Sequence, residues 1–251
     1  MTGTLYLIPN TLGASATAND QPLAHIIPEA VQRMTAQLDH FVAENAKTTR
    51  AFLKILHQHH PLSRPLQEIQ ITELNVNTPA EALSNLLEPL LQGHDLGLIS
   101  EAGVPAVADP GANLVRLAHQ HHIQVRPLVG PSSLLLALMA SGLNGQSFAF
   151  NGYLPTDAAL RAKRIKELEE RSRKEQQTQL LIETPYRNAA MLEALVSTCQ
   201  PQTHICVATD LSLESESIQS LPASAWKKRL QSNQAPDFNK KPTVFLFLAS
   251  K

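Results

Sequence analysis

The sequence predicts an α/β protein of two domains, and three observations support this class. Short apolar runs alternate with amphipathic helices over the first 142 residues, which is typical of a mostly parallel sheet flanked by helices. The run Leu96–Ile99 has no polar alternation, as expected of a strand buried on both faces. After the turn 142–145 the pattern changes. We therefore expect an N-terminal domain over residues 1–145 and a smaller domain with a mixed sheet over residues 146–251.

Local signals place each element of the first domain. Pro9 ends the first strand, because proline cannot donate a backbone hydrogen bond. Thr78 and Glu81 have the spacing of a capping box, and Asp109 before Pro110 predicts another helix start. The predicted elements are, in order, strand 4–8, helix 28–38, a strand ending at 41–43, helix 47–57, an edge strand within 68–74, helix 79–91, strand 96–99, helix 111–122, strand 124–128, and a helix that opens at 130–133 and runs to about 141.

The second domain mixes strands and helices of varied length. Its predicted elements are strand 148–153, a charged helix 158–176, strand 179–182, a helix capped by Thr184 with Pro185 first, strand 204–208, a strand within 215–220, helix 223–231 and a closing strand 243–249. The closing strand has no evident partner among its neighbours in the sequence. A mixed sheet is therefore expected in this domain.

Composition excludes several classes of protein. Hydrophobic residues make up 43% of the chain and charged residues 17%, which argues against disorder. The absence of a long apolar run and of a signal-like N-terminus predicts a cytoplasmic protein without membrane contact. Cys199 and Cys206 are expected to be free thiols. The histidine clusters 57–60 and 119–122 fall at predicted helix ends, where they complement the helix dipole, so no metal site is expected.

The charge is unevenly distributed along the chain. The net charge is −1, but residues 1–150 carry seven basic and eleven acidic side chains, whereas residues 151–251 carry fourteen and eleven. Much of the basic excess lies in the helix 158–176, which includes Arg161 and Arg164. Two interpretations remain open, a solvated helix face with paired charges and a surface that contacts phosphate.

Three loops rich in proline and glycine follow predicted strands, at 9–13, 100–111 and 130–133. Open α/β sheets bind ligands at the carboxyl ends of their strands. We expect these loops to meet there and to offer backbone groups and serine hydroxyls to a small polar ligand. Glu44 and Glu183 also end strands, where a carboxylate is either a general base or ligand contact or a complement to the next helix.

These residues resemble the tetrapyrrole methylase superfamily, also called class III S-adenosylmethionine-dependent methyltransferases. The nearest branch is that of the bacterial small-subunit ribosomal RNA (cytidine-2′-O)-methyltransferases. Asn45 and Glu101 stand where the family usually has aspartate, and Asn10–Gly13 departs from the family's usual Gly-Asn-Leu. The matching segments, in the family's order, are 4–9, 41–50, 98–105, 109–111, 127–133, 150–155, 182–187 and 207–212.

The resemblance implies a homodimer of two-domain subunits, with S-adenosyl-L-methionine in the cleft between the domains. By position, the cofactor-binding residues are Pro9, Ser100, Glu101, Ala102, Gly103, Val104, Pro105, Ser132, Ser133, Glu183, Ala208 and Thr243.

The reaction expected from the resemblance is methyl transfer to a ribose 2′-hydroxyl of ribosomal RNA, with the small ribosomal subunit as partner. A hydroxyl acceptor must lose its proton, and Glu44 is the candidate base. The candidate RNA-binding residues are Lys47, Arg50, Arg161 and Arg164. Two alternatives remain open: a methyltransferase acting on a small molecule such as a tetrapyrrole, and a catalytically inactive relative that binds the cofactor.

Overall fold

The computed structural model describes residues 2–13, 23–75, 77–238 and 240–251. The chain divides into two compact units, Met1–Ser132 and Ser133–Lys251. Each unit contains one five-stranded sheet with helices packed against it. The predicted class, two α/β domains, is therefore confirmed.

The sheet of the first unit is parallel throughout, with the strand order β3-β2-β4-β1-β5. Its strands are β1 (Thr4–Ile8), β2 (His40–Ala43), β3 (Gln70–Glu73), β4 (Leu96–Ile99) and β5 (Gln124–Pro127). Its α-helices are α1 (Glu29–Ala36), α2 (Ala46–His57), α3 (Leu83–Leu86), α4 (Glu88–Leu91) and α5 (Ala112–Gln120). Because all five strands run the same way, their carboxyl ends lie at one edge of the sheet.

The central strand β4 is buried along its whole length, as its unbroken apolar sequence predicts. Side chains of neighbouring strands alternate between two apolar clusters, one on each face of the sheet. Ile8 and Ile99 lie in the cluster that includes residues of α1 and α2, and Leu5 and Leu98 lie in the cluster that includes residues of α5. This packing fixes the carboxyl ends of β1 and β4 beside each other.

The predicted helix 79–91 is wrong as a continuous element. It is a short 3-10 turn, Ala80–Ala82, followed by α3 and α4. Pro89 lies inside the span and lacks the N–H that would continue the helical hydrogen bonds. The Thr78 hydroxyl accepts a hydrogen bond from the Asn75 N–H (3.0 Å), so this threonine closes a turn instead of capping a helix.

The predicted cap at Asp109 is also wrong, because α5 begins at Ala112 with Gly111 as its first flanking residue. Gly111 has a φ of 128°, a conformation that side-chain-bearing residues rarely adopt. A Cβ there would also lie 2.8 Å from Cδ2 of Leu98. The glycine therefore turns the chain into the helix, and Asp109 stays in the preceding loop.

The second unit contains a mixed sheet, as predicted, with the order β6-β7-β10-β8-β9. Strands β6 and β7 are parallel, and the remaining pairs are antiparallel. The strands are β6 (Phe148–Phe150), β7 (Thr178–Glu183), β8 (His204–Thr209), β9 (Ser217–Pro222) and β10 (Thr243–Leu248). The helices are α6 (Ser133–Ser141), α7 (Ala158–Glu175), α8 (Asn188–Thr198) and α9 (Ala223–Gln231).

The closing strand β10 lies at the centre of this sheet, between β7 and β8. Phe245 and Phe247 are fully buried in the core of the unit. Trp226 is buried in the same core, and its Nε1–H donates to the carbonyl of Ile205 (2.8 Å). Cys199 and Cys206 are buried free thiols, as predicted. Among the described residues, no helix combines the length and the apolar character that crossing a membrane requires.

The contact between Gly130 and Pro9 gives a test of how closely the first unit is packed. A Cβ on residue 130 would lie 2.1 Å from the Cβ of Pro9, and the rigid proline ring cannot move aside. We expect Gly130→Ala to lower the free energy of unfolding by about 2 kcal/mol in urea denaturation, as overpacked sites do.

Gly145→Ala is the matched control. Within the described part of the chain, a Cβ at residue 145 meets no heavy atom within 4 Å, so its stability should stay close to that of the wild type. Equal effects of the two substitutions would contradict the close approach of Gly130 to Pro9.

Candidate functional site

A set of hydrogen bonds joins the ends of β1 and β4. The Asn10 N–H donates to the carbonyl of Gly103 (2.8 Å), and the Gly103 N–H donates to the carbonyl of Thr11 (3.2 Å). The Asn10 side-chain amide also donates to the carbonyls of Ser100 and Glu101, both at 3.1 Å. Asn10 is buried, so these bonds hold the loop 100–105 firmly against the end of β1.

Glu44 connects the same loop to β2. Its backbone N–H donates to the carbonyl of Ile99 (3.1 Å), and its Oε2 accepts a hydrogen bond from the Glu101 N–H (3.0 Å). The predicted catalytic residue therefore lies at the carboxyl edge of the sheet, in contact with the predicted cofactor loop. It also positions that loop.

The third loop completes this edge. Gly130 lies against Pro9, and the carbonyl of Pro131 lies 3.6 Å from where a Cβ of Gly103 would be. Gly103 has a φ of 67°, so glycine is suited to this close approach. The structure thus brings the three predicted loops together at one end of the parallel sheet.

Carboxyl groups are crowded at this edge. Burial, and then the nearby carboxylates of Glu44 and Glu101, raise the pKa of Asp109 to about 6, although the Ser100 hydroxyl acts in the opposite direction. The Ser100 Oγ is buried and, among the described residues, has no partner at hydrogen-bonding distance and angle. Three carboxyl groups close together, one of them partly buried, favour a bound ligand that carries positive charge.

In the second unit, Glu183 ends β7 with its side chain almost fully buried (1% exposed). Its Oε1 accepts hydrogen bonds from the Thr184 N–H (2.7 Å) and from Nη2 of Arg187 (2.6 Å). Thr184 occupies the capping position with Pro185 first, as predicted, but the element it precedes is a 3-10 turn, Pro185–Arg187, and its side chain forms no capping hydrogen bond. The helix α8 begins after this turn. Glu183 therefore has a clear structural role.

Thr243 lies opposite Glu183 at the start of β10. Its hydroxyl lies 3.3 Å from the Thr209 hydroxyl and accepts a hydrogen bond from Nδ2 of Asn188 (3.0 Å). Ala208 is buried within β8, in register with Val244 of β10. Glu183, Thr243 and the end of β8 therefore share one edge of the second sheet.

The remaining predicted residues lie on or near helices. Ser132 is the last residue of the first unit, and Ser133 is the first residue of α6 in the second unit. On α7, Arg164 pairs with Glu167 (3.2 Å), and Nη1 of Arg161 donates to the carbonyl of Thr156 (3.0 Å). Lys47 and Arg50 are exposed on α2.

One group of described side chains has the composition of a metal site: Asp39, His40 and His94. Both oxygens of Asp39 already have partners, Nδ1 of His40 at 2.7 Å and Nε of Arg64 at 2.9 Å. Burial acts to raise the pKa of Asp39, but those two partners together hold it below its usual range. The arrangement is that of an ion-pair network at the amino end of β2.

Solved structures of other proteins share this fold of two α/β units. The chain aligns with the methyltransferase CobJ over 99% of its length and 95% of that chain, with a TM-score of 0.61 and 15% identity. It aligns with a diphthine synthase over 98% of its length and 89% of that chain, with a TM-score of 0.62 and 14% identity.

Residues 24–225 match the sequence profile of the tetrapyrrole (corrin/porphyrin) methylases, and the chain belongs to this family. Membership makes the protein a methyltransferase that uses S-adenosyl-L-methionine, as the resemblance predicted.

The curated relatives include proteins named "Ribosomal RNA small subunit methyltransferase I". The relative from Xylella fastidiosa is 30% identical over 98% of this chain and 81% of its own length. The relative from Pseudomonas aeruginosa is 31% identical over 88% and 70%, and that from Vibrio cholerae is 32% identical over 61% and 54%.

The carboxyl edge of the first sheet fits such a cofactor. S-adenosyl-L-methionine carries positive charge on its sulfonium and amino groups, and the crowded carboxyls of Glu44, Glu101 and Asp109 complement that charge. The buried Ser100 oxygen keeps lone pairs that can accept a hydrogen bond from a ligand.

Sequence reasoning misses the roles of two residues at this edge. The sequence marks Asn10 only as a departure from the family's first loop, yet its side chain holds the predicted cofactor loop. Its position directly after a strand-ending proline is the available signal. The local pattern makes Asp109 a helix cap, and only its distance from the start of α5 shows otherwise.

Replacement of Asp109 tests the carboxyl crowding. The folded state holds the Asp109 proton more tightly than the unfolded chain, so the free energy of unfolding falls as pH rises from about 4 to about 6 and stays lowered above pH 6. At neutral pH, Asp109→Asn should therefore unfold with a free energy about 1 kcal/mol higher than wild type, a value that allows for the partial exposure of the group.

The difference between the two proteins should disappear near pH 4, as followed by urea denaturation across pH. Glu214→Gln removes the same charge from an exposed site and should show no such pH-dependent gain. A variant that is no more stable than wild type at pH 7 would mean that Asp109 is not destabilised by its surroundings.

Proposed function

We propose that this protein transfers a methyl group to a ribose 2′-hydroxyl of small-subunit ribosomal RNA. The names of the curated relatives support this acceptor, since they match across most of the chain. The structural observation that carries the proposal is the contact between Glu44 and the loop 100–105 at the carboxyl edge of the first sheet. That contact places a carboxylate beside the loop that the family resemblance assigns to the cofactor.

We further propose that Pro9, Ser132 and the loop 100–105 hold S-adenosyl-L-methionine in the first unit. When bound, this cofactor supplies a methyl group on a sulfonium centre. The carboxyls of Glu44, Glu101 and Asp109 stabilise the adjacent positive charge, and the Asn10 hydrogen bonds keep the loop in place. Binding by Ser133, Glu183, Ala208 and Thr243 of the second unit remains a prediction from the sequence.

The chain's contribution to the reaction is orientation and proton removal. Methyl transfer requires the acceptor oxygen in line with the leaving group, and alignment of this kind supplies a large part of an enzymatic rate enhancement. Glu44 is the proposed proton acceptor, since it is only partly buried and one of its oxygens, Oε1, is not used by the Glu101 N–H. Lys47 and Arg50 follow it on α2 and are proposed to contact RNA phosphates.

The assembly and the compartment are part of the same proposal. A homodimer in the cytoplasm agrees with the family resemblance and with ribosomal RNA as the acceptor. Sedimentation equilibrium of the purified protein tests the dimer, because a monomer at micromolar concentration would contradict it.

Glu44→Gln tests the proposed base. Glutamine keeps an oxygen that accepts from the Glu101 N–H, so the loop should stay in place while proton removal is abolished. We expect the turnover number for labelled-methyl transfer to undermethylated 30S subunits to fall by about 10²-fold or more. Cofactor affinity, measured by calorimetry, should fall much less, because Glu101 and Asp109 keep their carboxyls beside the cofactor.

Glu73→Gln is the matched control, because the exposed Glu73 carboxylate accepts, within the described part of the chain, only the Ala46 N–H at the start of α2. Full activity of Glu44→Gln would exclude Glu44 as the base. Wild-type protein that binds the cofactor and methylates tetrapyrroles but not 30S subunits would favour the small-molecule alternative, and binding without any transfer would favour the inactive relative.

A further inference from the structure

We propose that the outer face of α2 is a track for the phosphate backbone of single-stranded RNA, and that it continues into a basic cavity at the end of this helix. The inference rests on the proposed RNA acceptor and adds the surface that holds it. It assigns RNA contact to α2 and not to the longer charged helix α7.

The basic residues of α2 lie on one stripe. Lys47, Arg50, Lys54 and His57 are spaced by three, four and three residues, and all four are exposed. At 100° per residue they fall within about 80° of one another around the helix axis. The opposite side of the helix packs into the core through Phe52 and its buried neighbours. The stripe is therefore a solvent-facing surface of one sign of charge.

Few acidic groups oppose this stripe. The helix contains no aspartate or glutamate, and within the described residues Lys47, Arg50 and Lys54 form no ion pair. Two acidic residues lie at the first turn of this helix: Glu44, which precedes the Asn45 cap, and Glu73, whose Oε1 accepts the Ala46 N–H. Unpaired cations on a rigid helix attract phosphate more strongly than cations already neutralised by neighbours.

The helix α7 differs in this respect. It holds seven basic residues and four glutamates. Arg164 is paired with Glu167 and Arg171 with Glu175, each at 3.2 Å. Charge pairs at these spacings are common on the solvent-exposed faces of helices. The contrast between the two helices makes α2 the better phosphate surface, although α7 carries more basic residues.

The far end of the stripe opens into a cavity of about 510 Å³ whose lining includes Lys54, His57 and Arg64. Asp39 accepts a hydrogen bond from Nε of Arg64. Among the described residues, the two Nη groups of Arg64 have no partner, so they can bind a ligand. A guanidinium held in this way is suited to a phosphate oxygen. Ser63 and Gln67 also line the cavity and add polar groups.

The near end of the stripe begins at the proposed site of methyl transfer. Asn45 caps α2, with its side-chain oxygen accepting from the Lys47 and Thr48 N–H groups, and Glu44 directly precedes it. From Lys47 to His57 the helix rises about 15 Å, which matches about four phosphates of a stacked strand at roughly 3.4 Å each. A strand bound on α2 would thus extend directly from an acceptor nucleotide beside Glu44.

The test compares two variants that remove the same charge. Lys47→Gln/Arg50→Gln/Lys54→Gln removes three cations from α2, and Lys163→Gln/Lys166→Gln/Arg173→Gln removes three exposed cations from α7. The probe is a fluorescein-labelled single-stranded RNA of mixed sequence, about twelve nucleotides long, and its binding is followed by fluorescence anisotropy between about 50 and 200 mM KCl.

The α2 variant should bind this RNA at least about tenfold more weakly at the lowest salt concentration. The slope of log affinity against log salt should become shallower by about 2, because each phosphate that a cation neutralises on a single strand adds about 0.7 to the slope. The α7 variant should keep the wild-type slope. An unchanged slope in the α2 variant, or an equal change in the α7 variant, would overturn the proposal.

Two further measurements separate this inference from misfolding and from the proposed function. Cofactor affinity by calorimetry should be unchanged in the α2 variant, and the charge-conserving Lys47→Arg/Arg50→Lys/Lys54→Arg should retain the wild-type slope; a shallower slope there too would contradict an electrostatic track. If wild type fails to methylate 30S subunits but the two variants still differ in slope, the proposed acceptor is wrong and RNA binding by α2 is supported. If wild type methylates 30S subunits and the α2 variant binds RNA normally, the RNA track on α2 is wrong and the proposed function is supported.

Discussion

The candidate site is held together by the hydrogen bonds of Asn10. The loop after β4 leaves the centre of a parallel sheet, where its backbone groups have no strand partner. The Asn10 side chain donates to two carbonyls of this loop. The Asn10 N–H donates to the Gly103 carbonyl, and the Thr11 carbonyl accepts from the Gly103 N–H. Buried polar groups that are paired in this way fix a backbone in one conformation. A loop fixed in this way would lose little conformational entropy on binding a ligand.

The same edge concentrates negative charge in a partly buried place. Glu44 is needed to hold the Glu101 N–H, Glu101 follows β4 directly, and Asp109 is displaced from any capping role by Gly111. Burial and the repulsion from these neighbours raise the pKa of Asp109 and cost the folded state stability. A site that destabilises itself in this way gains from binding a cation. The charge at this edge is compatible with the sulfonium of the cofactor that the family uses.

Positions that depart from the family's motifs keep recognisable physical roles. Asn45 stands where aspartate is usual, and its side-chain oxygen still caps α2 through two N–H groups. Asparagine and aspartate are comparable as N-terminal caps, so the helix keeps its start without the extra charge. Because Asn45 is neutral, it does not offset the positive charge of the basic stripe at the N-terminus of α2. The departure at Asn10 supplies the bonds that hold the loop.

Local patterns in the chain were sufficient to predict the alternation of strands and helices, the parallel first sheet, the buried β4 and the loops that meet at its end, because these follow from apolar periodicity and from proline and glycine. The pairing of charges required the folded chain. In it, Glu183 is bound to Arg187, α7 neutralises part of its own charge and α2 does not. The closing strand lies at the centre of its sheet because strand pairing joins residues far apart in the chain. The side-chain caps predicted at Thr78, Asp109 and Thr184 did not form. Thr78 closes a turn with Asn75, α5 begins only after Gly111, and Thr184 precedes its turn without a hydrogen bond from its side chain.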